Sequence, residues 1–248
     1  MSWKDEYNLV AMLGAGAFGK VYKVEKNGIL YAVKEVVGDS AEDEFTILKR
    51  SSHPNIVRFI KHFENKKSFL MEYADAGTMV DIRRSLSEDS INSIVQQVIK
   101  DIASALAYLH GNNIMHRDLK PANILCFRNG SGKPITFKLA DFGISKRFRD
   151  SQTSAYNCSV APDFYAAPEV IRQQEYTFSA DMWCVGAIIS FWCSGQHLFR
   201  SEDALNFNQN EWSGIENQPS TLTALVKSLL SQAPKDRPSA RSVSQFRI

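Results

Sequence analysis

Residues 114–125 read IMHRDLKPANIL, and Asp141 of the stretch LADFGIS (139–145) follows Asn123 by eighteen residues. Between them, NILCFRNG (123–130) and GKPITFKLAD (132–141) read as two strands joined by a polar tip. Such a hairpin brings Asn123 and Asp141 together at its base. Asp118 can take a proton from a hydroxyl, and Lys120, two residues on, supplies fixed positive charge. Asn123 and Asp141 offer oxygens to Mg²⁺, which accepts few protein ligands when phosphates supply the rest. A base, a cation and oxygen ligands are what phosphoryl transfer asks of a protein, because positioning and charge dominate that reaction.

Upstream, GAGAFGKVYKVEKNGILYAVKEV (14–36) sets Gly14, Gly16 and Gly19 in a G-x-G-x-x-G pattern. A backbone without Cβ atoms can approach phosphates closely, although a plain glycine-rich β-turn has the same composition. The glycines run into β-branched and aromatic residues, then Asn27-Gly28, then ILYAVKEV, so Asn-Gly predicts a hairpin. A dinucleotide fold would place a helix there, and Gly19-Lys20-Val21 lacks the Ser or Thr of a Walker loop. What is left is a strand–loop–strand flap over a nucleotide. Lys34 sits in the third strand. The helix that follows, with Ser40 as N-cap and Phe45 and Leu48 on its apolar face, offers Glu44, or in rivalry Glu42, as its carboxylate partner. Two further strands, IVRFIKHF (56–63) and KSFLMEY (67–73), complete a five-stranded lobe ending near Tyr73, with a polar turn at ADAGT (74–78). The remainder reads as helical. Ile91, Ile94, Val95, Val98, Ile99, Ile102, Leu106 and Leu109 form one stripe, with Gly111 expected just past its end.

Composition sets outer bounds. The chain has 248 residues, 44% of them hydrophobic, enough for one large domain or two lobes about a cleft. A formal charge of +2 is too small to argue for nucleic acid or an anionic membrane as partner, and neither is expected. Cys126, Cys158, Cys184 and Cys193 show no C-x-x-C pair, which suits a reducing compartment. The start MSWKDEYNLV has no signal-peptide pattern, and the apolar run at 182–193 is too short to span a bilayer. A soluble cytoplasmic or nuclear protein without membrane insertion is expected. His53, His62, His110 and His197 lack metal-ligand spacing, and the Trp and Phe clusters near the C-terminus read as core.

Taken in order, these motifs closely resemble the eukaryotic protein kinase family, serine/threonine branch, from about Tyr7 to Arg237. The resemblance implies an α+β bilobal kinase fold over 1–248. It places a small antiparallel N-lobe at about 1–73, a hinge at about 72–78 and a helical C-lobe at about 79–248. It implies ATP with Mg²⁺ (or Mn²⁺) as cofactors and proteins with exposed Ser or Thr as substrates. Leu13, Gly14, Gly16, Gly19, Val21 and Ala32 would surround ATP, with Met71 behind it and backbone groups of Glu72 and Ala74 on the adenine edge. Lys34 and Glu44 would be the ion pair, Asp118, Lys120 and Asn123 catalytic, and Asn123 and Asp141 the metal ligands. His116, Arg117, Phe142, Gly143, Glu169, Asp181 and Arg237 would be structural, with Glu169 and Arg237 paired and Asp181 bracing the catalytic loop. DLKPAN points to the serine/threonine branch, with some likeness to the NIMA-related kinases.

The chain departs from the family pattern at three places. Glu44 follows Lys34 by only ten residues. Pro162 stands where a threonine usually supports the catalytic aspartate and lysine. Ala122 and Thr78 replace glutamates that select upstream arginine. A pseudokinase scaffold is the alternative reading, against which all four of Lys34, Asp118, Asn123 and Asp141 are present. A small-molecule kinase is disfavoured by the HRDLKPAN and APE stretches. The segment RFRDSQTSAYNCSVAP (147–162) carries Ser151, Thr153, Ser154, Tyr156 and Ser159 and reads as a polar loop. The resemblance implies that Arg117 pairs with a phosphate on it, which makes Ser151, Thr153, Ser154 and Ser159 the candidate phosphorylation sites, with Thr153, Ser154 or Ser159 foremost. With little outside the catalytic domain, regulation is expected from this segment, from partners, or from parts of a longer chain. A peptide array should show no strong preference for arginine upstream of the target; tight selection for it would contradict the reading of Ala122 and Thr78.

Overall fold

The computed structural model describes residues 2–16, 19–37, 41–63, 67–128, 130, 135–147, 164–215 and 217–248, apart from the side chains of 41–43, 146–147 and 201–202. Ser40, Tyr156, Pro162 and the candidate phosphorylation sites Ser151, Thr153, Ser154 and Ser159 lie outside the described residues.

The N-terminal part builds one antiparallel sheet from β1 (Asn8–Gly16), β2 (Gly19–Lys26), β3 (Ile29–Val36), β4 (Phe59–Phe63) and β5 (Ser68–Glu72), ordered β1-β2-β3-β5-β4. The β2–β3 turn is Asn27-Gly28, both with positive φ (55° and 78°), as a two-residue hairpin of right-twisted strands requires. One face of the sheet buries Trp3, Val24, Val33, Phe63 and Leu70 in a small core of its own. Helix α1 (Ala41–Arg50) buries Ile47 and Leu48 in the main core, which also takes in Ala32, Phe69 and Met71 of the sheet. Strand β4 begins at Phe59 and not at Ile56, because the preceding residues bond elsewhere: Val57 N donates to Leu139 O, and Leu139 N to Asn55 O, both at 2.9 Å.

The C-terminal part is mainly helical: α2 (Met79–Ser85), α3 (Glu88–Gly111), α4 (Pro168–Ile171), α5 (Ser179–Ser194), α6 (Ser220–Leu229) and α7 (Ala240–Ser244). Thr78 caps α2 through a reciprocal pairing with Asp81. The stripe on α3 is buried from Ile91 to Leu109, with Ile94 at its margin. Gly111 does not stop this helix: it stays helical, Asn112 is the cap, and Asn113 takes the left-handed conformation (φ 58°). Asparagine tolerates that region better than most residues, so it could replace glycine there. Short strands follow: β6 (Ile114–Met115) pairs with β9 (Lys146–Arg147), and β7 (Ile124–Arg128) pairs with β8 (Ile135–Leu139) in the expected hairpin.

Helix α5 is buried from Ala180 to Cys193, so its apolar run is core. A Cβ at Gly186 would stand 2.9 Å from Leu229 Cβ, which is why a hydrogen is needed where α5 meets α6. Beside this helix Arg237 donates to both Glu169 oxygens (2.6 and 2.8 Å) and to the carbonyls of Ser231 and Ser179. Both residues are buried. Arg237→Ala should therefore lower stability in urea denaturation by about 3–5 kcal/mol, since it strands a carboxylate in the core. Arg237→Lys should fall between, keeping the charge and losing the two-pronged contact. A loss below about 1 kcal/mol for the alanine variant would contradict this account.

Candidate active site

A cleft of about 510 Å³ opens between the sheet and the β7–β8 hairpin. Gly14, Gly16, Gly19, Val21 and Leu13 line one side of it, Ala32, Lys34 and Met71 the back, and Glu72 and Ala74 the edge. Asn123 and Asp141 reach it from the hairpin. Gly19 is irreplaceable on geometric grounds: its φ is +136°, and a Cβ would stand 2.0 Å from Glu35 O.

At the back of the cleft three elements meet on one ammonium. Lys34 Nζ lies 2.6 Å from Glu44 Oε1 and 2.7 Å from Asp141 Oδ1. The short lead-in to α1 is therefore long enough for Glu44 to reach Lys34. Burial disfavours the Lys34 charge, but Glu44 and Asp141 outweigh it and hold the ammonium above the ordinary lysine range. Burial also raises Asp141, yet Lys34 and the Gly143 N–H prevail and keep its carboxyl low. Glu44 is deeper, and burial there exceeds the pull of Lys34, so its carboxyl is raised.

The HRD stretch is organised from below. Asp181, fully buried near the start of α5, accepts from His116 N and Arg117 N at 3.0 Å each, and pairs with His110 Nε2 at 2.8 Å. His116 is buried as well. Its Nδ1 accepts from Asp118 N (3.3 Å), so Nε2 carries the proton donated to Ala140 O (3.1 Å). Burial holds this imidazole below the ordinary histidine range, and Phe142 packs on it at 5.0 Å. Asp118 Oδ1 receives Lys120 Nζ at 2.8 Å, and Oδ2 receives Asn123 Nδ2 at 2.8 Å. Among the described non-glycine residues with positive φ, Asn27, Asn113, Gln173 and Asn217 carry amide side chains. The other two are Arg117 (72°) and Asp141 (62°). Each such conformation costs about 1–3 kcal/mol and clusters at functional sites.

Several residues at this site were not singled out from the sequence. Leu125 of β7 lines the cleft two residues beyond Asn123, which ends the single turn just before that strand, and the apolar side chain next to the motif was the signal that could have revealed it. Asp81 lines its mouth. His110 carried no such signal, since Asp181 lies 71 residues away. Glu72 also holds the hinge, with its Oε1 accepting from Lys138 Nζ and Arg58 N, both at 2.7 Å.

The sequence model of the protein kinase domain matches residues 7–247. The chain belongs to the protein kinase domain family. Serine/threonine-protein kinase Nek5 of Mus musculus is 32% identical over 96% of this chain and 40% of its own length. Calcium/calmodulin-dependent protein kinase type 1 of Caenorhabditis briggsae is 31% identical over 83% of this chain and 59% of its own. Serine/threonine-protein kinase ULK1 of Homo sapiens is 32% identical over 94% of this chain and 24% of its own. This chain thus spans less than two thirds of these kinases' lengths. Kinases of this family use ATP and a divalent metal ion.

The residues present fit such an ion. Both protons of the Asn123 amide nitrogen face Asp118, one on its carbonyl and one on its carboxylate, which leaves Oδ1 available to an ion. Asp141 uses Oδ1 for Lys34 and Gly143 N, and Oδ2 makes no hydrogen bond among the described residues. Two hard oxygens facing this cleft match a metal completed by substrate oxygens.

Asp181→Ala should leave two buried N–H donors orphaned, costing about 1–3 kcal/mol for each. Hydrogen exchange should show His116 and Arg117 amides losing protection first. Unchanged protection at those amides would sink the assignment of Asp181 as their anchor.

Proposed function

We propose that this kinase domain transfers the γ-phosphoryl group of Mg-ATP to serine and threonine hydroxyls of proteins. One observation carries the reading: Lys34 is engaged by Glu44 and Asp141 while Asp118 is held by Lys120 and Asn123 at the same cleft.

ATP would enter with its adenine between Leu13, Val21 and Ala32 above and Leu125 below. Met71 closes the back. Glu72 N already donates to Arg58 O, so the hinge donor left for adenine is the Ala74 N–H. Lys34 orients the phosphates. Asn123 Oδ1 and Asp141 would hold Mg²⁺, whose chemistry is to neutralise charge on the triphosphate oxygens. Asp118 takes the proton of the attacking hydroxyl as its oxygen bonds to the γ-phosphorus and the bond to the β-phosphate oxygen breaks. Carboxylate oxygens accept more than one hydrogen bond, so the contacts to Lys120 and Asn123 aim Asp118 without disabling it. Lys120 then meets the negative charge that develops on the transferred group.

Incubation with Mg-ATP and a mixed Ser/Thr/Tyr peptide library tests this. Serine or threonine peptides should be labelled, and Asp118→Ala should reduce kcat about 10²–10⁴-fold, as expected for loss of a general base. Binding of ATP without transfer by the wild-type chain would overturn the proposal and make Pro162→Thr the first variant to examine.

A further inference from the structure

Away from that cleft, a second hollow of about 370 Å³ opens between the end of α1, the segment leading into β4, and β8. Among the described residues its wall carries Lys49, Arg58 and Lys138, and no carboxylate. Lys138 is already engaged with Glu72. Lys49 and Arg58 are exposed, and among the described residues neither forms an ion pair. Lys49 rests its ammonium 5.4 Å from the Phe45 ring centroid, a contact that leaves its charge unneutralised. Between the cations lie an exposed Pro54 and a half-buried Phe59. His53, also on the wall, adds no charge, since its Nδ1 accepts from Asn55 N and burial lowers its proton affinity.

We propose that this hollow docks an acidic, partly apolar segment of a protein partner. Its carboxylates would meet Lys49 and Arg58, and an apolar side chain would lie on Pro54 and Phe59. The charge pattern supports this occupant. A guanidinium without a carboxylate presents a planar fork that matches one in two hydrogen bonds. The hollow is too large for a single small anion, and its apolar patch would be wasted on one. Nucleic acid binding rests on a longer run of phosphate contacts than two free cations provide. The docked segment would also touch Lys138, whose partner Glu72 belongs to the hinge and whose strand leads to Asp141. The inference does not rest on the phosphoryl-transfer reading.

Fluorescence anisotropy on the whole chain, with a fluorescein-labelled peptide of alternating Glu and Leu, tests it. That peptide has no hydroxyl side chain, so phosphorylation cannot enter the readout and Asp118→Ala should bind it as the wild type does. Binding should saturate, weaken with added salt, and fall about tenfold or more when Lys49→Glu and Arg58→Glu are combined. A peptide with Gln for every Glu should bind much less. Equal binding by the charge-reversed protein or by the Gln peptide would overturn the proposal. So would displacement at equal concentration by inorganic phosphate or by a single-stranded DNA oligonucleotide. If charge reversal lowers the thermal midpoint, Arg58→Gln, which alters one exposed head group, carries the same comparison.

Discussion

The ammonium of Lys34 is the point on which the rest of the molecule depends. It is almost wholly buried, and an isolated charge there would be too costly to keep. Two carboxylates from two other elements offset that cost, Glu44 from α1 and Asp141 from the turn after β8. The arrangement can form only when β3, α1 and the hairpin are all seated. A single buried charge therefore reports on the register of three elements, and the cleft is complete only when they agree.

Asp181 and Glu169 extend the same logic below the cleft. Each is a buried carboxylate surrounded by several donors, from backbone amides and His110 in one case and from Arg237 in the other. Such clusters hold backbone in conformations it would otherwise leave. Arg117 has positive φ beside Asp181, and Asp141 has it beside Lys34, so the strain is stored where neighbouring hydrogen bonds can hold it. His116 links the two halves, reading its proton position from Asp118 on one side and Ala140 on the other.

Much of this was legible before any coordinates. Asn27-Gly28 announced its hairpin because both residues tolerate positive φ. The α3 stripe appeared because a half-buried helix must repeat its apolar residues every third or fourth position. The candidate site residues were legible for a different reason: their types and spacing match one chemistry, which neighbouring sequence alone can display. Gly111 misled because asparagine shares glycine's tolerance for the left-handed region, and local preference did not choose between Gly111 and Asn113.

By itself the sequence determined the family and the run of N-terminal strands around one helix, and it singled out Lys34, Asp118, Asn123 and Asp141 as candidates, since each rests on local pattern or a short motif. Only the tertiary structure decided that Glu44 reaches Lys34 despite its short lead-in, that His110 grips Asp181, and that Glu72 ties the hinge to Lys138. Those contacts join residues from 10 to 71 positions apart. Nothing in a chain's local preferences records them, because they arise only when separate elements bury polar groups together and each group must find its partner.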